Sequence, residues 1–265
     1  MKKSVMILAT TLIMAIPMQA LAQNNDQLPQ NDSATIAQTS YWAENFSLTV
    51  ALKIWRSTLS LDFFEGAPES TNNMYGPAVN LTFKEKFYAG MSYYTGDGFE
   101  YTIESASSTD NIELKITKSD FDIWIGYSFH PRGSVFIGYK TSNVDTDYQV
   151  GDIYDLDIKG PVIGVSGNYP IMDSGFILFG TLGYTFLDVT FKTPETDTYT
   201  SGKITGAGSG PAIEFGATYI FRQLPKLSLT AGYKYQNYET TKDEISTNGG
   251  LYTLTGFTFG VNYRF

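Results

Sequence analysis

From residue 46 onward the chain alternates apolar and polar positions with a period of two. Phe46, Leu48, Val50, Leu52 and Ile54 are interleaved with Ser47, Thr49, Ala51, Lys53 and Trp55. No helix keeps the first five on one face, whereas a strand does so by its pleat. The rhythm returns at Val79, Leu81 and Phe83, at Phe87, Ala89, Met91 and Tyr93, and at Phe121, Ile123, Ile125, Tyr127 and Phe129. It continues at Val135, Ile137 and Tyr139, at Ile213, Phe215, Ala217, Tyr219 and Phe221, at Leu227, Leu229, Ala231, Tyr233 and Tyr235, and finally at Phe257, Phe259, Val261, Tyr263 and Phe265. Segments 154–168 and 174–191 are strand-like with apolar residues at both parities: Val162 against Ile163 and Val165, and Phe176, Leu178 and Leu182 against Ile177, Phe179 and Leu187. Either a bulge or a lumen partly lined by apolar side chains gives that pattern. The pattern predicts ten strands, with eight or twelve as alternatives.

The connections sort by length. Short ones fall at Lys84-Glu85-Lys86, at His130-Pro131-Arg132-Gly133, near Tyr169 to Gly175, and at Arg222 to Lys226. Long ones are predicted at about 60–75, 96–111, 141–153, 192–206 and 240–250. Strict alternation of short and long, with an even strand number, is what a transmembrane β-barrel needs: short periplasmic turns and long outer loops. Lipid offers the backbone no hydrogen bonds, so a spanning sheet must close on itself. Phe46, Phe83, Phe87, Phe129, Phe221, Tyr263 and Phe265 all fall beside the short turns, the level of an interfacial girdle.

The first 22 residues have a different character. Lys2 and Lys3 precede an apolar stretch from Val5 to Ile16 and the triplet Ala20-Leu21-Ala22, the order of a secretory signal peptide. The apolar stretch is shorter than the roughly 20 residues a spanning helix requires. Residues 23–45 are polar and read as a flexible periplasmic lead-in, so the barrel domain is placed at 46–265. The leader carries two lysines and no acid, so its removal takes the formal net charge from −9 to −11.

Composition then narrows function. Without cysteine there is no disulfide framework, thiolate zinc site or iron–sulfur cluster. An acidic chain is poorly suited to phosphate backbones, so no nucleic acid partner is expected. Aromatics at 15% with only 17% charged residues fit strands that face hydrocarbon on one side.

The leader, the alternating strands and the closing Tyr263-Arg264-Phe265 resemble the small outer-membrane β-barrel proteins of Gram-negative bacteria. The resemblance covers residues 46–265 and points to no single family within that superfamily. It implies an outer-membrane location and a lipid bilayer with lipopolysaccharide as surroundings. It also implies recognition of the last strand, Phe257, Phe259, Val261, Tyr263 and Phe265, by the barrel-insertion machinery.

With the apolar alternates facing lipid, Lys53, Asp122, Trp124, Lys140, Lys159, Glu214 and Lys234 are predicted inside. Counting from the 222–226 turn puts Glu214 opposite Lys234, and the HPRG turn makes Asp122 and Lys140 diagonal neighbours. Buried charges need partners, so these residues either neutralise one another and plug the lumen or form a selectivity filter. Enzymes of the resembled superfamily use a histidine in the outer half of the barrel. The single His130 sits in a predicted periplasmic turn, leaving no nucleophile–base pair and no histidine metal site. The long loops are acidic, with Asp145-Thr146-Asp147 too short for a calcium loop. The sequence therefore reads as a monomeric, non-enzymatic all-β closed antiparallel barrel without cofactor or resident metal. Its expected role is surface or envelope interaction with a largely plugged lumen, a narrow porin-like channel and a loop-borne adhesin or receptor being the alternatives.

Overall fold

A computed structural model describes residues 45–61, 69–103, 112–148, 154–172, 174–193, 202–240 and 250–265. The leader, most of the lead-in and the tips of the long loops lie outside the described residues. Ten strands follow one another: β1 (Phe46–Ser60), β2 (Ser70–Phe83), β3 (Phe87–Ile103), β4 (Ile112–His130), β5 (Gly133–Tyr148), β6 (Tyr154–Pro170), β7 (Phe176–Thr193), β8 (Gly202–Ile220), β9 (Leu227–Thr240) and β10 (Gly250–Arg264). Each pairs antiparallel with its sequence neighbours, and β1 pairs with β10 to close the barrel. At the seam Phe265 N donates to Leu48 O at 2.8 Å. The β2–β3 connection is the three residues Lys84-Glu85-Lys86, in which Lys84 and Glu85 have φ of 50° and 56°, and Lys86 N donates back to Phe83 O. That geometry matches the right-handed twist of the flanking strands.

The strands run 14 to 19 residues, whereas a tilted span needs about 9–11. The excess lies toward the long connections, and these are shorter than the sequence pattern predicts. β2 begins at Ser70, β3 runs to Ile103, β5 to Tyr148, and β8 starts at Gly202. The reason is a change of face. Near the short turns the exposed outward residues are apolar, such as Ile123 and Ile125 on β4 and Ile163 and Val165 on β6. Further along the same strands the outward positions become polar (Lys115, Asp157, Lys159) and the buried inward ones apolar (Leu114, Ile116, Leu156, Ile158). Outward Tyr75, Phe121, Tyr139, Tyr184 and Phe257 mark the changeover, and Phe87, Tyr127, Phe129, Phe176 and Tyr263 mark the short-turn edge. Two aromatic girdles thus bound an apolar belt. Beyond the belt the barrel continues into water with its hydrophobic residues inside.

Three Gly-Pro pairs sit near this boundary: Gly76-Pro77, Gly160-Pro161 and Gly210-Pro211. Cross-strand pairing skips at each, jumping from Tyr75↔Thr95 to Ala78↔Ser92, from Lys159↔Asp188 to Val162↔Thr185, and from Ser209↔Glu239 to Ala212↔Gln236. Proline has no N–H to give the ladder. A Cβ on any of the three glycines would fall 1.8 Å from a carbonyl oxygen of the next strand, that of Tyr93, Phe186 or Asn237.

The mixed parity of β6 and β7 comes from the lumen and not from a bulge. Their register runs without a shift. Val162 and Phe179 point inward, while Ile163, Val165, Leu178 and Leu182 face out. Inside, the Phe179 ring approaches Gly216 and Gly232, Phe136 approaches Gly164, and Trp124 approaches Gly90. Rings laid over glycine narrow the lumen without forcing the strands apart.

Candidate functional site: the charged layer of the lumen

Below the outer apolar core lies a layer of charge. Asp122 and Lys140 are direct cross-strand partners rather than diagonal ones, and Lys140 Nζ lies 3.2 Å from Asp122 Oδ1 and 3.3 Å from Asp120 Oδ2. Lys118 Nζ lies 2.8 Å from Asp120 Oδ1. It also donates to Ser142 Oγ at 2.6 Å and to Tyr252 OH at 3.3 Å, and stands 4.3 Å from the centre of the Tyr252 ring. Lys118, Asp120 and Lys140 are all but wholly buried. Taking such charges out of water costs several kcal/mol per ion unless each finds partners. Asp120 meets this by bridging two ammonium groups.

Lys118 and Asp120 are the members that the sequence reading missed. They share the inward parity of Asp122 and Trp124, one and two steps further along β4. Continuing that parity back past Phe121 would have found them. The apolar alternation stops at Phe121, where the outside becomes water, so the outward face carries no apolar signal of the inward parity beyond it.

The other members divide. Glu214 is the cross-strand partner of Lys234, yet among the described residues neither belongs to an ion pair within 4 Å. Glu214 Oε1 accepts from Thr258 Oγ1 at 3.4 Å, while Lys234 Nζ stands 4.6 Å and 5.2 Å from the ring centres of Trp55 and Tyr94. Lys53 has Gly76 and Gly260 as its two cross-strand partners, which leave room for its side chain. Lys159 does not join the layer. It lies beyond the apolar belt, where outward positions face water, and its side chain is exposed on the outer surface.

Lys53, Asp122, Lys140, Glu214 and Lys234 line one cavity of about 250 Å³. It extends from Tyr88, beside the β2–β3 turn, to Tyr238 under the outer core. That core packs Trp55, Leu59 and Met74 against Phe99, Tyr101, Ile116, Ile158, Tyr252 and Leu254. Tyr101 OH donates to Leu59 O at 2.6 Å across it.

Outside the layer little suggests chemistry. His130 closes β4 at the short turn, where its Nδ1 accepts the Arg132 N–H at 3.1 Å. Among the described residues no group of three or more His, Asp or Glu could hold a metal ion. On the outer surface Asp145 faces Asp155 across β5 and β6, and Lys192 Nζ binds Asp157 Oδ2 at 2.5 Å. Partial burial, then Asp155 and Asp157, raise the Asp145 carboxyl above its ordinary range. The bond to Asp157 raises the Lys192 ammonium. Phe257, Phe259, Val261, Tyr263 and Phe265 are all exposed on the outer face of the closing strand.

No protein-family model matches the chain, and no curated protein matches it. Solved structures do. The outer-membrane protease OmpT from Escherichia coli aligns with a TM-score of 0.52 at 16% identity, over 84% of this chain and 97% of that one. The translocator domain of the autotransporter NalP from Neisseria meningitidis aligns at 0.47 and 12% identity, over 88% and 96%. Ail, the attachment invasion locus protein of Yersinia pestis, aligns at 0.36 and 14% identity, over 83% and 99%. What the chain shares with OmpT is architecture, and that architecture is the fold of the outer-membrane β-barrels.

Proposed function

We propose that the chain is a non-enzymatic barrel of the bacterial outer membrane, exported by its leader and sealed against solute flow. It holds a water-exposed β-platform and acidic loops above the lipopolysaccharide. The observation that carries this reading is the apolar core across the outer half of the barrel, with Trp55, Leu59, Phe99, Ile116, Ile158 and Leu254 buried against one another. A porin leaves an aqueous lumen, whereas this lumen is filled at the outer end with hydrocarbon and aromatic rings. The single histidine is engaged in a turn at the opposite end from the loops, which argues against a histidine-based hydrolase. The row of apolar side chains ending in Phe265 supports recognition by the insertion machinery. The acidic outer face disfavours polyanionic partners and suits divalent bridges to lipopolysaccharide phosphates. Reconstitution into planar bilayers tests the sealed lumen: no stepwise conductance is expected. Stable, ion-selective steps would instead establish the narrow channel.

A further inference from the structure

The charged layer holds more than its own pairs account for. Four ammonium groups (Lys53, Lys118, Lys140, Lys234) face three carboxylates (Asp120, Asp122, Glu214) among the described inward residues. Asp120 and Asp122 are spent on Lys118 and Lys140. Among the described residues Lys53, Lys234 and Glu214 are left around the cavity without an ion pair. Three further polar groups lining the same cavity have no partner among the described residues: Thr185 Oγ1, Gln236 Oε1 and Tyr238 OH. All three side chains are at least 98% buried. Groups of this kind are costly to leave unsatisfied. Water could serve the hydroxyls and the amide, but water does not balance the excess positive charge.

We propose that the cavity is a binding site for a small organic carboxylate that also carries a hydrogen-bond donor, of free amino-acid size. Its carboxylate pairs with Lys53 and Lys234 and accepts from the Thr185 hydroxyl, an ammonium or hydroxyl donor meets Glu214 and Gln236, and its apolar part rests on Trp124, Phe136 and Val162. A volume of about 250 Å³ accommodates such a molecule. Because the apolar core closes the outer end, the ligand enters from the short-turn side, and the barrel is a blind vestibule facing the periplasm.

Calorimetry on the full chain folded in detergent tests this with three probes on one carbon skeleton: leucine, 4-methylpentanoate and leucinol. Leucine and 4-methylpentanoate are expected to bind with dissociation constants of about 1 mM or lower, and leucinol, which lacks the carboxylate, far more weakly. Lys53→Met and Lys234→Met each keep the aliphatic stem and should weaken both acids roughly tenfold. Glu214→Gln should bring leucine down to the level of 4-methylpentanoate. Thr185→Val removes a hydroxyl that has no partner, so it keeps the fold and still lowers affinity, and it carries the test if a lysine variant does not fold. Absence of binding by both acids overturns the proposal. So does leucinol binding as tightly as the acids, or affinity unchanged in every folded variant.

Discussion

The two halves of this barrel obey opposite rules with one continuous set of strands. On β4, Ile123 and Ile125 face outward near the short turn while Asp122 and Trp124 face in; further along, Lys115 faces outward and Leu114 and Ile116 are buried. The backbone ladder does not care which side is apolar. The solvent outside decides: hydrocarbon around the belt, water beyond it. The lumen answers in its own way, charged groups mixed with Trp124, Phe136 and Phe179 within the belt and an apolar core above. Gly76-Pro77, Gly160-Pro161 and Gly210-Pro211 interrupt the ladder near the level where the rules exchange.

Variants at the boundary between the halves should have the largest effect. Asp120→Ala leaves Lys118 buried with its carboxylate gone, and should cost about 3–5 kcal/mol in urea unfolding from lipid vesicles. In the outer half, Leu254→Ala opens a hole in a conventional core and should cost about 2–5 kcal/mol by the same assay. Charge on the outer face separates the halves directly. Ile125→Arg puts a guanidinium in the belt, at a cost of about 2–4 kcal/mol near the midplane, whereas Thr205→Arg, on the exposed outer face, should change stability by less than about 0.5 kcal/mol. Equal costs for these two arginines would break the comparison.

The smallest effect is a pH dependence confined to the outer half. The Asp145 carboxyl is raised in the folded protein, so the folded state binds its proton more tightly than the unfolded chain does. Its contribution therefore grows as pH falls through the folded value toward the ordinary carboxylate range, and is lost as pH rises. Hydrogen exchange, corrected for intrinsic rates, should show the outer amides of β5 and β6 better protected in mild acid than at neutral pH, with the belt unchanged. Lys192, raised by Asp157, keeps its contribution below the ordinary lysine range and loses it only as pH climbs through the raised value.

Much of the membrane half was legible in the sequence because one face of each strand there is uniformly apolar. Ten strands and the order of short and long connections follow from that alternation. The outer half reads as loops, although Leu114 and Ile116, and Leu156 and Ile158, keep the period of two, and Phe99 and Tyr101 keep even the parity of Phe87 and Met91, turned inward by the bulge at Gly98. On β4 and β6 the apolar face is the opposite one, and an exchange of parity resembles the end of a strand. The same exchange explains why Lys159, assigned inward as a polar residue among apolar neighbours, lies outside. The triple Gly-Pro was a readable sign of it, since proline inside three strands of a closed sheet calls for a local reason. The vestibule itself was not readable: which charges pair with which depends on register and shear around the whole barrel, beyond any single hairpin.

The chain contains no cysteine, so single substitutions along β6 give a background-free probe of what lies outside each position. With the protein in lipid vesicles, Asp157→Cys and Lys159→Cys should react readily with a water-soluble maleimide, while Ile163→Cys, Val165→Cys and the inward Ile158→Cys should be protected. Reactivity that is lost along the outward face across Pro161 is the predicted result. Equal protection at 159 and 163, or a reactive Ile158→Cys, would contradict the account of a water-exposed outer barrel with its own closed core.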